Sequence, residues 1–332
     1  MPLKSYREEV RDLILDTLWS LWAELGAGGW ERRHPATAVD VEPLIIATNH
    51  PRLQQLDRRL LEQALDWSIA NVRLVSAVRL RNLLKDFPPQ LAESFGAFAA
   101  TVRGEANANW PGDGTALRAP SAVSGFGRDR APVPDLTRPA LLQLRLRAAW
   151  GVSARAEIIR LLLGEPSSFL SVSDLAAGAA FGRDNVADAV EMMARAGIVR
   201  ERGTGGSRRY QLAKREPEAM RDHDPWVALL GSLPETFPDW AARFRIMLAV
   251  LDFAHADLPD PLVRAAEITR FRREHATDMA RNSIVFAIRQ PGPSAEEPNQ
   301  DFEEQSLRLL RHWAGRAEGT TSAVGRRARS KQ

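Results

Sequence analysis

The chain has 332 residues, 44% hydrophobic and 26% charged, with a formal net charge of +3. That is the balance of a globular protein with room for two or three domains, each with a sizeable core. Cysteine is absent, which excludes disulfides, thiolate catalysis and Cys-ligated zinc. No apolar run approaches the length that spans a bilayer, and Met1-Pro2-Leu3-Lys4-Ser5-Tyr6-Arg7-Glu8-Glu9 lacks the apolar core of a signal peptide. A cytoplasmic protein without membrane contact is expected.

In chain order, Arg7 to Leu25 reads as a helix with Val10, Leu13, Ile14, Leu18, Leu21, Trp22 and Leu25 on one stripe. Gly26-Ala27-Gly28-Gly29 ends it. Val41 to Thr48 is a short apolar segment compatible with helix or strand. Leu56 to Ile69 and Ser76 to Phe87 have helical spacing, with Ser76 as an N-cap and Pro88-Pro89 closing the second. A helical N-terminal domain over residues 1–102 follows. Residues 103–139 hold Gly104, Pro111, Gly112, Gly114, Pro120 and further Gly and Pro with few large aliphatics, a linker composition. Trp110 and Phe126 are the residues able to hold it to a surface.

Residues 140–215 carry the most specific pattern. A helix from Pro139 to Trp150 leads into Ala154–Leu163, which has apolar residues at helical spacing and is broken by Gly164-Glu165-Pro166-Ser167. Phe169-Leu170 reads as a very short strand. Ser171-Val172-Ser173-Asp174 has the spacing of a capping box before the short helix Leu175–Ala180. Phe181-Gly182 makes a turn. Arg183 to Arg195 forms a second helix with Val186, Val190 and Met193 inward, stopped by Gly197. Ile198–Arg202 and Arg208–Leu212 are two strands around Gly203-Thr204-Gly205-Gly206-Ser207. The order predicts a winged helix-turn-helix: three helices and a β-hairpin wing, with the recognition helix near 183–195 and the wing near 199–212.

Beyond it, 216–290 reads as a helical C-terminal domain. It contains a short helix over Pro225–Leu233, a strong one over Asp239–His255, and one or two over Pro261–Ile288. Residues 291–300, with Pro291-Gly292-Pro293-Ser294, read as a linker, 301–315 as a terminal amphipathic helix, and 316–332 as a disordered basic tail. The expected fold class is mainly α, a central winged helix-turn-helix flanked by helical domains.

Ala194-Arg195-Ala196-Gly197-Ile198-Val199, followed by the Gly-rich loop and Arg209-Tyr210-Gln211-Leu212, resembles the ArsR/MarR-type winged-helix regulators over roughly a fifth of the chain. The resemblance implies a DNA-binding fold and a transcriptional regulator. Asp40-Val41-Glu42-Pro43-Leu44, Asp66-Trp67 and Arg73–Leu83 look like stretches of uncharacterised actinobacterial proteins that pair a helical N-terminal domain with a central winged helix. Some proteins of that kind are antitoxins or operon partners of nucleotidyltransferase-like toxins.

In a helix-turn-helix the start of the second helix meets base edges. Arg183 suits a guanine and Asn185 an adenine. Arg202, Arg208 and Arg209 on the wing suit backbone or minor-groove contact, and Arg155 at the start of the first helix is a further phosphate candidate. From Gln143 to Arg215 there are twelve Arg or Lys and seven acids, a local basic excess that fits double-stranded DNA. Asp184, Asp188 and Glu191 oppose it, since carboxylates repel phosphates. They support an alternative in which the winged helix docks a protein, such as an enzyme encoded nearby. A homodimer is expected because one recognition helix reads few base pairs. The Gly-rich loop lacks the Lys and helix of a phosphate-binding loop. Asp222-His223-Asp224 reads as a helix cap, and His255, His275 and His312 are too scattered to be ligands. No catalytic residue, cofactor or metal is expected.

Overall fold

Most of the described chain is helical, and its strands form one three-stranded antiparallel sheet. The structure is a computed structural model that describes residues 5–28, 32–34, 36–117, 133–213, 231–286 and 296–316. Two compact units emerge, one of Leu18–Arg245 and one of Met1–Thr17 with Ile246–Gln332. The larger unit holds the first hundred residues from Leu18 together with those after 139. An ionic network joins the first hundred residues to those after 139.

In the larger unit, the last turns of α1 (Tyr6–Glu24), from Leu18 on, and α2 (Val41–Thr48), α3 (Pro51–Leu56) and α4 (Arg58–Ala70) surround buried tryptophans. Trp22 Nε1 donates to Thr48 Oγ1 at 2.9 Å and Trp67 Nε1 to the Leu25 carbonyl at 3.0 Å, and the two rings meet edge to face at 5.6 Å. Buried indoles need such partners. All eight residues of α2 are buried, so it has no polar face, and apolar period alone does not separate helix from strand. Ser76 caps α5 (Ala77–Leu83), its hydroxyl accepting from the Arg79 amide at 3.2 Å.

α5 ends at Leu83 and a 3-10 turn over Leu84–Asp86 follows it, so Pro88-Pro89 opens the next helix and does not close this one. Pro89 sits in the first turn of α6 (Pro89–Ala106), where its missing N–H costs nothing. The expected linker begins inside this helix, and residues 107–117 pack back on it. Trp110 is buried and stacks at 6.2 Å on Phe95 and 6.3 Å on Phe98. Arg103 Nη1 donates to the carbonyls of Trp110 and Gly112. A Cβ on Gly96 would stand 2.1 Å from the Asp113 carbonyl oxygen. Aromatic stacking and a close glycine approach thus hold a stretch that has Leu117 as its one large aliphatic. Phe126 lies outside the described residues.

The second half of this unit is α7 (Leu142–Trp150), α8 (Ala154–Gly164), β1 (Leu170–Ser171), α9 (Val172–Ala179), α10 (Arg183–Arg195), β2 (Val199–Arg202) and β3 (Arg209–Leu212). The sheet order is β1-β3-β2. The register pairs Leu170 with Tyr210, and Val199 with Leu212 through Arg202 with Arg209. One core serves all of these elements, including Leu146, Ile158, Leu162, Leu175, Val186, Val190, Met193, Val199 and Tyr210.

α11 (Trp240–His255) begins in the larger unit and ends in the smaller one. In the smaller unit, α12 (Pro261–Glu274) and α13 (Ala276–Arg281) are two helices broken at His275. The last, α14 (Glu296–Trp313), starts before Asp301 and takes up part of the expected linker. Phe253, Phe271, Phe286 and Phe302 form its aromatic centre, with centroids 4.8–6.0 Å apart. The first turns of α1 join them, Tyr6 bonding Ser306 at 2.9 Å and Arg311 Nε donating to Glu9 at 2.9 Å. Asp222-His223-Asp224, residues 225–230 and the tail from 317 lie outside the described residues. No described helix is long and apolar enough to cross a membrane.

Candidate nucleic-acid interface

α9 and α10 are set by local chemistry at each end. The Ser171 hydroxyl accepts from the Asp174 amide at 3.1 Å, and the Asp174 carboxylate accepts from the Ser171 amide at 3.0 Å, a complete capping box. The Ser171 hydroxyl, which also donates to the Asp174 carboxylate at 2.7 Å, and then the Ser171 amide hold the Asp174 carboxyl below its ordinary pKa. Ala180, φ 53°, turns the chain in the left-handed region after α9. Gly197, φ 70°, ends α10 in a Schellman motif: Ile198 N donates to Met193 O at 2.9 Å and Gly197 N to Ala194 O at 3.0 Å.

α10 buries Val186, Ala189, Val190 and Met193. Its opposite side presents Arg183, Asp184, Asn185 and Asp188 to solvent. Arg183, Asn185, Asp184 and Asp188 have no side-chain partner among the described residues. Glu191 differs, pairing with Arg195 at 2.8 Å one turn on. The expected three-carboxylate face therefore reduces to two free carboxylates.

On the hairpin, Arg202 and Arg209 stand directly opposite each other in the register and both are exposed. Neither makes an ion pair among the described residues, and Arg209 has a 3.5 Å bond to the Phe169 carbonyl and a longer-range attraction to the Asp174 carboxylate. Arg208 is half-buried, with Glu201 3.9 Å away. The tip is a tight turn in which Ser207 N and Oγ both bond the Thr204 carbonyl, at 3.1 and 2.7 Å. A cleft of about 270 Å³ separates the hairpin from the helices, with Ser173, Arg183, Glu191, Gly206 and Arg208 among its walls. Arg155 is exposed near the start of α8 and unpaired among the described residues. Of the expected site residues, Arg183 and Arg208 line this cleft together, whereas Asn185, Arg202, Arg209 and Arg155 are not in its lining.

Not all of the basic residues in this segment face solvent. Arg147 and Arg160 are buried with Glu157, Asp40, Glu42 and Arg79 in a network of three carboxylates and three guanidinium groups. Arg79 holds Asp40 through two bonds of 2.7 and 2.8 Å and also contacts Glu42. Arg147 spans Glu42 at 2.7 and 2.8 Å and Glu157 at 2.6 Å. Arg160 bonds Glu157 at 2.9 Å. Gln143 Nε2 donates to Asp40 at 3.0 Å and to Glu157 at 3.1 Å. Burial alone would raise Asp40 and Glu157, but the arginines outweigh it and hold both carboxyls below the usual range. Arg200 is also engaged, bonding Gln211 at 2.9 Å and lying over the Phe169 ring. Lys214 and Arg215 lie outside the described residues.

Spacing along the chain does not reveal this network. Its signal is charge inside apolar runs: Asp40 and Glu42 around Val41, Glu157 and Arg160 around Ile158-Ile159. Comparison with protein-family models, with curated proteins and with solved structures gives no match.

Proposed function

We propose that residues 140–213 form a winged helix-turn-helix that binds double-stranded DNA, and that the protein regulates transcription as a homodimer. In this reading α10 enters the major groove, Arg183 and Asn185 meet base edges, and Arg202, Arg208 and Arg209 on the wing meet the backbone or minor groove. Arg155 adds a phosphate contact. The observation that carries it is the juxtaposition of Arg202 and Arg209. Like charges placed directly opposite on a sheet destabilise it. Neither forms an ion pair among the described residues, and Arg209 has only the more distant Asp174 carboxylate acting on it, so a polyanion is a partner that would relieve them.

Selection from a random-sequence duplex library tests the reading. The wild type is expected to enrich a preferred sequence. Arg183→Ala or Asn185→Ala should then relax one base position, costing about 1–3 kcal/mol each. Arg208→Ala with Arg209→Ala should weaken binding to all sequences and flatten the salt slope by about 0.9 for each phosphate left without its arginine. A wild type that enriches nothing, or an unchanged slope, overturns these assignments. Asp184 and Asp188 favour a second reading, in which the same helix docks a basic protein surface.

A further inference from the structure

The last three carbonyls before the turn into α10 are each held by a side chain from elsewhere. Arg160 Nη2 reaches the Gly178 carbonyl at 3.4 Å, Arg79 Nε donates to Ala179 at 2.9 Å, and Asn82 Nδ2 donates to Ala180 at 3.0 Å. The final carbonyls of a helix have no intrahelical donor, and cations there also meet the negative end of its dipole. Arg79 and Asn82 both belong to α5, about a hundred residues earlier in the chain. Ala180 itself sits at φ 53°, ψ 42°, a conformation that L residues other than Gly, Asn and Asp seldom hold without support from their surroundings. Arg79 cannot shift to follow a moving carbonyl, because both ends of its guanidinium are fixed on Asp40 and it is 1% exposed.

From this geometry we infer that α5 sets the angle between α9 and α10, with Arg79 and Asn82 as positioning residues for the DNA-reading helix. The inference rests on the DNA reading above. Asn82 touches no base or phosphate candidate; it acts through the Ala180 carbonyl. Without its amide, Ala180 is free to leave the left-handed region and α10 takes several entry angles. Base recognition, which depends on the helix angle, then fails, while the wing still holds phosphates.

The test uses the full chain, with two duplexes: the sequence that the wild type selects from a random library, and a scrambled duplex of equal composition. Asn82 is only half-buried, so Asn82→Ala should fold. Its affinity is expected to fall about tenfold on the selected duplex, the scale of a substitution coupled to a site it does not touch, with the scrambled duplex and the salt slope unchanged. Asn82→Asp, which puts an acceptor against the Ala180 carbonyl, should fall further. Arg79→Lys should also lower the preference, since an ammonium cannot hold Asp40 at both oxygens and Ala179 at once. Asn82 variants that discriminate like wild type overturn the proposal alone. Equal falls on both duplexes, tracking a lower Tm, also overturn it and leave Asn82 as a stabilising residue. A wild type that selects no sequence overturns the DNA reading, and the proposal with it.

Discussion

Glu157 faces three guanidinium groups, with Arg147 at 2.6 Å, Arg160 at 2.9 Å and Arg79 at 3.8 Å. Removing its charge leaves three buried cations with two carboxylates. Glu157→Gln is therefore expected to cost about 3–5 kcal/mol, read as a lower urea midpoint at pH 7, because breaking a buried pair strands the partner. The pH profile carries the same information. Asp40 and Glu157 have folded pKa values below their ordinary 3.8 and 4.5. Their stabilisation is present above that range and disappears as pH falls through the folded values. His34 acts in a higher window. Burial, then Arg32 and Arg243, push it down from 6.5 to about 4, so it folds neutral. The unfolded chain takes up its proton first, and stability declines between pH 6.5 and about 4. His34→Gln should flatten the Tm profile in that upper window and Glu157→Gln in the lower one. A wild-type Tm constant from about pH 7 to 4 would refute the His34 assignment.

At the scale of elements, periodicity locates α8, α9 and α10 well because each has one buried face and recognisable ends. Ser171, Gly197 and the apolar set Val186, Val190 and Met193 all do what their spacing implies. It is weaker where burial comes from something other than aliphatics. Residues 107–117 look like linker until Trp110 is seen between Phe95 and Phe98. That strap gives a prediction: Gly96→Ala places a methyl on the Asp113 backbone and should cost about 1–3 kcal/mol in stability. An unchanged urea midpoint would show that the strap yields freely. The free carboxylates of α10 give another. Asp188→Asn should strengthen binding to a scrambled duplex, most at low salt where screening is weak. Tm should stay nearly unchanged, as for most exposed sites. If DNA binding is unaffected and the variant instead weakens association with a basic protein partner, the protein-docking reading gains.

At the scale of the whole chain, the sequence suggests a helical N-terminal domain over residues 1–102, a linker over 103–139 and a winged helix over 140–215. The larger unit instead runs from Leu18 to Arg245. No local rule could show this, since Asp40 meets Arg79, Gln143 and Arg160 across separations of 39 to 120 residues. The physical consequence is that the 140–213 segment has its buried charges matched by residues outside it. Cut out, it keeps Gln143, Arg147, Glu157 and Arg160 but is without Asp40, Glu42 and Arg79. Its α8 would then hold Arg160 and Glu157 with a surplus cation from Arg147, and α9 would lack two of the three donors at its C-terminus. The isolated 140–213 fragment is therefore expected to show no cooperative thermal transition. If burial of unmatched charge is the cause, replacing Arg147, Glu157 and Arg160 together by Met, Leu and Leu should restore a transition, because an apolar set of similar volume does as well as a satisfied network. A wild-type fragment that melts cooperatively would mean the network is dispensable for folding. A substituted fragment that still fails to melt would place the missing stability in apolar packing against the first hundred residues instead.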